Sequence, residues 1–455
     1  MKKIILLPVM SMYALTAFCQ QDSLLKNFKF RNSNYKAINL NIGGNGQFNK
    51  TDFIAGTTKN SGGGGSVGVN YYTAQSTDKI LLTASAGIGS YFNFAKSNNT
   101  GGVSRTNAFS VNPNFNVLNK WFSNSKFIEL GADGTASVFT GKDKSNIPGT
   151  TSKQSQLNYD FAVNAGIGTG RLENITDMQN ALWLSKALQA SNSLLHPLSA
   201  SELNELGRTI TAANNTRVLD GRKRTQFVLT TIDNFFQQKG LIPKTDINYF
   251  SNLNDIVFFA FNTPRLSGTE KFIRFTPAIT DYKNDNMQNN NASKYEGKAN
   301  TKSLVLSTGF NKYTASSLIH QNNYGVSLNF SYNDVDFSDR YFISGTVTSE
   351  VKGMLKVKQA SVNLFFEHAI YPNTRTIINF NLQPQLGYQD VNKQTSLFGQ
   401  VDLTGSLNYF ISYRTRFVCN LYGIYRNNVQ QIQRPVELLP NAIQLNAGAG
   451  LIVSI

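Results

Sequence analysis

Cysteine, charge and histidine are all scarce in this chain of 455 residues. Its two cysteines are Cys19, inside an apolar N-terminal stretch, and Cys419. Once that stretch is removed a single thiol remains, so no internal disulfide can staple the fold. Charged residues make up only 15% of the chain, against roughly 25% in an ordinary soluble domain. After about residue 20 no apolar run is long enough to cross a bilayer as a helix, which excludes a helical membrane protein. With 12% aromatics and many short Val, Ile, Leu and Phe runs, disorder is excluded as well.

The N-terminus reads as an export signal. Met1, Lys2 and Lys3 precede an apolar segment from Ile4 to Phe18, and Ala17 and Cys19 stand where a small-residue cleavage site needs them. Cleavage before Gln20 is the preferred expectation, with residues 1–19 as the signal peptide, and lipidation of Cys19 is the rival.

The dominant pattern of the remaining chain is strict alternation. Ile38, Leu40 and Ile42 oppose Asn39 and Asn41, while Leu157, Tyr159, Phe161, Val163 and Ile167 oppose Asn158, Asp160 and Asn164. Tyr324, Val326, Leu328, Phe330 and Tyr332 oppose Ser327, Asn329, Ser331 and Asn333; Ile378, Phe380, Leu382 and Leu386 oppose Asn379, Asn381, Gln383 and Gln385. A soluble β-sandwich also alternates, but its outer face carries Lys, Glu and Thr. Here the polar face is Asn, Gln, Ser and Gly, which suits a lumen, and the apolar face suits lipid. The pattern therefore predicts an all-β membrane barrel, an antiparallel transmembrane β-barrel of 14 to 16 strands.

Connections alternate in length in the same sense. Long Gly/Asn/Thr segments at about 49–65, 95–106 and 141–153 are separated by short ones at 75–78 and 123–125. Outer-membrane barrels join strands by short periplasmic turns and longer external loops, so residues 20–170 read as a first barrel part with the N-terminus in the periplasm. Residues 171–262 change to helical spacing. Ser199 and Glu202 form a capping box ahead of Leu203, Leu206 and Ile210; a further helix over about 219–239 buries Val228, Ile232, Phe235 and Phe236 and ends at Gly240. Met178, Leu182, Ser185 and Leu188 mark an earlier helix, and Tyr249, Phe250, Leu253, Ile256 and Val257 a later one. Alternation resumes over 263–455, the second barrel part, with 283–301 as a long external loop and three strands between Ser303 and Asn333. An even number of strands before the insert places it at the periplasmic end, as a plug of the mouth or a bundle beneath it.

The segments Gly168-Thr169-Gly170-Arg171-Leu172-Glu173-Asn174-Ile175, Asn215-Thr216-Arg217-Val218-Leu219-Asp220-Gly221-Arg222 and Leu253-Asn254-Asp255 resemble a Bacteroidota-type outer-membrane β-barrel protein of uncharacterised function with a helical insert between barrel strands. That resemblance implies a location and an architecture, and it implies no reaction.

Catalytic constellations are thin. Gly166, Gly168 and Gly170 mimic a phosphate loop, but a nucleotide fold needs a parallel βαβ unit, and glycines relaxing a strand end into a turn are the simpler account. None of His196, His320 and His368 is flanked by a recognisable catalytic partner, so no enzyme, cofactor or metal site is expected. Charge says more: 43 Lys and Arg face 27 Asp and Glu, a net +16, and the insert holds nine of the former and eight of the latter. The excess lies on barrel and loops, where the phosphates of outer-membrane lipid and lipopolysaccharide are the expected partners, with no nucleic acid. Arg414, Arg416 and Arg426 share parity with Asn420, and Arg274 with Thr276, as candidate lumen-lining cations. Carboxylates across the barrel would neutralise them; otherwise they favour anions. In the insert, Arg217, Arg222, Lys223 and Arg224 cluster about Asp220, as a solvated helix start or a contact surface for a periplasmic or outer-membrane protein partner. Two functions follow: a channel for small polar or anionic solutes, or a non-conducting scaffold whose insert closes the barrel and binds a partner.

Overall fold

The computed structural model describes residues 23–53, 56–99, 102–145, 151–216, 221–243, 245–259, 265–288, 292–412, 415–427, 430–431, 437–438 and 442–453. The expected signal peptide lies outside them. Six strands come first: β1 (Asn32–Phe53), β2 (Gly56–Ser76), β3 (Ile80–Asn99), β4 (Gly102–Ser123), β5 (Lys126–Ser145) and β6 (Thr151–Asn174). Four helices follow, α1 (Thr176–Ala190), α2 (Ala200–Asn215), α3 (Gly221–Gln238) and α4 (Ile247–Phe259). The strands then resume with β7 (Leu266–Gln288), β8 (Ser293–Ala315), β9 (His320–Ile343), β10 (Thr346–Asn373), β11 (Thr376–Val391), β12 (Gln394–Phe410) and β13 (Thr415–Asn427). A two-residue hairpin, β14 (Gln430–Gln431) with β15 (Glu437–Leu438), precedes β16 (Ala442–Val453).

Fourteen strands form one antiparallel meander, β1 through β13 and then β16, the topology of an all-β membrane barrel. Alternation sets the faces. Ile128, Ile167 and Ile273 are opposite one another on β5, β6 and β7 and are 52–59% exposed, while Glu129 on the other face of β5 is fully buried. The outer band is apolar and exposed, as a lipid-facing surface must be. The sheet curls, because Arg171 at the end of β6 reaches Thr77 O (2.6 Å) and Ser76 Oγ (2.9 Å) beside β2, four strands away in the order. β1 and β16 end the order, and the even count leaves them antiparallel, the orientation that closure requires.

Three expectations are corrected. The span from Ser303 to Asn333 holds parts of two strands, β8 and β9, and not three, and the sheet has fourteen strands, the lower end of the expected 14 to 16. The segments read as long external loops are mostly strand: Lys50 pairs with Lys59, Lys96 with Arg105, Lys142 with Lys153 and Lys283 with Lys298. Polar composition removed the alternation signal there, yet each hairpin ladder continues because pairing, not an apolar face, satisfies the backbone. About ten residues of a strand span the bilayer, so strands of 20 to 24 residues stand well clear of it. Nor do Gly166, Gly168 and Gly170 end a strand, since β6 runs on to Asn174. They face the lumen, and Gly170, at φ +90° and with Thr269 O where a β-carbon would stand, turns the following Arg171 inward.

The helices pack by apolar stripes. The capping box is present, with Glu202 N donating to Ser199 Oγ and Ser199 N to Glu202, and Gly240 at φ +61° ends α3, with Leu241 N donating to Phe236 O. Met178, Leu206, Ile210, Ile232, Phe236, Tyr249 and Leu253 form a core that continues into Leu25 and Phe28 ahead of β1 and into Ala315 and Leu318 at the β8–β9 turn.

Candidate functional site: the lumen and its helical floor

The helices sit across the end of the barrel that carries the short turns. Asn32 at the start of β1 donates to Asn215 Oδ1 of α2 (3.0 Å). Across the mouth, Arg375 beside β11 makes a two-pronged ion pair with Asp255 of α4 (2.6 and 3.2 Å) and stacks over Phe259, whose ring meets Phe410 at the end of β12. Between them, Arg265, where the chain leaves the helices, is 1% exposed. Its guanidinium donates to Leu318 O (2.8 Å), His320 O (2.6 Å) and Gln321 Oε1 (2.9 Å) and lies over Tyr371. Contacts to β1, β8–β9, β10–β11 and β12 make the bundle a floor under the lumen.

Above that floor the lumen has two chemically different sides. On β4–β7, Lys120 Nζ lies 2.7 Å from Glu270 and 3.5 Å from Glu129, and Arg274 pairs with Glu129. Two cations thus meet two carboxylates. Lys120 also stands over Phe127 and Arg274 over Phe272. Nearer the floor, Arg31 pairs with Asp78 (2.7 Å) and Glu173 (2.9 Å), and Arg171 with Glu173 (3.2 Å) while stacking over Phe122. This side is a compensated charge network that ties strands together.

On β8–β12 the lumen holds a cavity of about 620 Å³ lined by Asn311, Asn363, Asn381, Gln383 and Gln385, the tilted ring pair Tyr313 and Phe365, and the carboxylates Glu367 and Asp402. No Lys or Arg lines it. Asn381 Oδ1 and Asp402 Oδ1 find no donor among the described residues, whereas Asp402 Oδ2 accepts from Gln400 and Glu367 from Asn323. The volume falls in the range of small-ligand sites.

Of the candidate cations, Arg274 is in the lumen and neutralised by Glu129. Arg416 and Arg426 lie on β13, in register with Phe410 and Gln400, on the face of Asn420, and neither has an ion pair among the described residues. Arg414 lies outside the described residues. So do Arg217 and Asp220; Arg222 is in the first turn of α3, and Lys223 and Arg224 there are exposed. His320 and His368 do come together, stacked at 5.6 Å with His368 against Asn322 Oδ1, but His368 shares the outer face of Leu364 and Phe366. His196 is exposed beside Pro197 O. Among the described residues no group of His, Cys, Asp and Glu could hold a metal. Reasoning from alternation missed Arg171, Arg265 and Arg375, because each sits at a strand end or turn where periodicity no longer fixes direction.

In the bundle, Asp177 is 6% exposed and accepts from Thr211 Oγ1 (2.7 Å) and Asn214 Nδ2 (3.2 Å). Burial pushes its carboxyl up to about 6, against the opposing pull of those two hydrogen bonds.

Fold and lumen together define a β-barrel membrane protein with a helical floor. No protein-family model and no curated protein matches the chain. Among solved structures it is similar to the translocator domain of the autotransporter NalP from Neisseria meningitidis, with 9% identity and a TM-score of 0.26 over 88% of this chain and 97% of that one. It is similar also to a deltaS2 mutant of the TodX monoaromatic hydrocarbon channel (8%, TM-score 0.31, 95% and 92% covered). The toluene transporter TodX of P. putida is a third (8%, 0.27, 95% and 92%).

Proposed function

We propose that this protein is an outer-membrane channel for small polar solutes, with its helical insert docked as a periplasmic floor that closes the lumen in the described state. The observation that carries the reading is the amide-lined cavity on β8–β12, held above a floor whose apolar core is continuous with the barrel turns. A barrel built only as a scaffold gains nothing from keeping that cavity open and polar. The cavity's amides and carboxylates favour neutral or cationic solutes locally, and any anion preference rests on Arg416 and Arg426 of β13.

Planar-bilayer conductance of the purified chain tests this. Stepwise currents that rise when the Arg375–Asp255 contact is removed support a channel closed by its floor. Absence of current from both forms returns the scaffold reading, which the continuity of the insert core with Ala315 and Leu318 also suits.

A further inference from the structure

Five cations gather on the outer face of β3–β6 at the end away from the helices. Lys96 lies directly opposite Arg105, and Arg105 directly opposite Lys144, so three positive side chains occupy one row across three strands. In the neighbouring row Lys142 lies opposite Lys153. All five are exposed, and none has an ion pair among the described residues. Asp143, between Lys142 and Lys144 in sequence, points to the other face by alternation.

Like charges directly opposite in a ladder are destabilising, with Cβ atoms only about 5 Å apart. One such pair could be incidental. Here they form consecutive rungs on one face. A row of this kind is favourable only when anions sit between the side chains.

The position of the row points to the occupant. Phe94 and Phe109, 54% and 48% exposed on the apolar face, lie two and four residues below Lys96 and Arg105, and Val138 lies four below Lys142. The cations therefore begin where the apolar band ends, at headgroup height. Beneath Lys142 and Lys153 a cavity of about 450 Å³ opens over Phe109 and Met287, with the single carboxylate of Asp285 at its edge. A floor of apolar side chains under a row of cations fits an amphiphile.

We propose that this face is a binding site for a multiply phosphorylated membrane lipid of the lipopolysaccharide kind, its phosphates bridging Lys96, Arg105 and Lys144 and the Lys142–Lys153 pair, its acyl part on Phe109 and Met287. Charge-assisted contacts to phosphate are short and strong, and Arg105 can meet two oxygens at once. The site is independent of the lumen, so it stands whether or not the barrel conducts.

The test uses the full chain in detergent, with diphosphorylated lipid A as probe and binding read by thermophoresis. The triple variant Arg105→Gln, Lys142→Gln, Lys153→Gln should lose about tenfold or more in affinity, the scale of losing a charge-assisted contact. Lys126→Gln with Lys271→Gln, at the opposite rim, should leave affinity unchanged. A second measurement separates binding from folding: the triple variant should resist thermal unfolding better than the parent without lipid A, because repulsion is relieved, and worse with it. Equal affinity of parent and triple variant overturns the proposal. So does displacement of the probe by millimolar inorganic phosphate, which would make this a site for the free anion. A loss of stability in the triple variant without lipid overturns the repulsion argument on which the proposal stands.

Discussion

Replacing Arg375 by Gln, or Asp255 by Asn, dissolves the two-pronged contact between the β10–β11 turn and α4. The two side chains are 37% and 33% exposed, so the pair ranks above a fully solvated one, at about 0.2–1 kcal/mol, and below a desolvated charge-assisted bond, at about 1.5–3 kcal/mol. A loss of about 1.4 kcal/mol is a tenfold change in an equilibrium constant. If floor docking is the closing step, either variant should raise the ratio of open to closed time by about that factor in single-channel records. High salt should have a similar but smaller effect on the parent, because a third-exposed pair is only partly screened. The exchanged pair, Arg375→Asp with Asp255→Arg, should restore closure, although it gives up the stacking of the guanidinium on Phe259. Unchanged open time in both single variants, with heat-modifiable migration showing a folded barrel, would refute the assignment of the insert as a movable floor.

Asp177 gives a pH dependence with a definite sign. Its folded pKa of about 6 exceeds the unfolded value near 4, so the folded bundle holds more protons between those limits and stability falls as pH rises from about 4 to 6, by about 3 kcal/mol. Asp177→Asn should flatten that fall, and a parent equally stable at pH 4 and 7 would contradict it. Glu129→Gln leaves Arg274 and Lys120 short of a carboxylate in the lumen and should cost about 3–5 kcal/mol, the scale of breaking a buried pair, read as a lower temperature of heat-modified gel migration. Arg416→Gln with Arg426→Gln should move the reversal potential in a salt gradient toward cations, whereas Arg274→Gln should not, its charge being already met by Glu129; a shift from Arg274 alone would show that the network is open to ions. A cysteine at Asn41 of β1, combined in turn with one at Gln444, Asn446 or Gly448 of β16, should cross-link in one pairing, since a disulfide needs α-carbons about 4.4–6.8 Å apart. Failure of every pairing would mean that the two end strands do not close on each other.

Alternation revealed the strands wherever one face must be apolar, as in Tyr324 to Tyr332 of β9 or Ile378 to Leu386 of β11. It failed where a strand leaves the bilayer, because Lys142 and Lys153 need no apolar partner to stay paired, and matching the orientation of strands counted from the two ends put three strands between Ser303 and Asn333, where β8 and β9 meet at a single turn. The helices were legible from caps and stripes, down to Gly240 and the Ser199–Glu202 box. The lumen was legible only as a face. Parity puts Arg274 inside, but only the spatial order of strands shows that Glu129 and Lys120, more than 140 residues earlier in the chain, neutralise it or share its carboxylate. The floor was the least legible part, because Arg265 and Arg375 act through backbone carbonyls and a helix that no local pattern links to them.

Glycine placement explains why a lumen with so many phenyl rings is not simply filled. Phe127 of β5 faces Gly168 of β6 in register, Phe272 of β7 faces Gly309 of β8, and Phe398 of β12 faces Gly387 of β11. In each case a methyl group at the glycine would overlap the ring, so the ring lies flat on the neighbouring strand in the space that the missing side chain leaves. Phe365 does the same over Gly325, and that ring is part of the cavity wall. A phenyl lying along the wall covers the bare backbone of the glycine and shields its hydrogen bonds from water, and it takes less of the lumen than one pointing at the axis. The same glycines that imitate a phosphate loop in the sequence therefore set the thickness of the wall. The amide cavity on β8–β12 exists because Phe365 is laid aside over Gly325, and the charge network on β4–β7 closes because Gly166 leaves room for the carboxylate of Glu129.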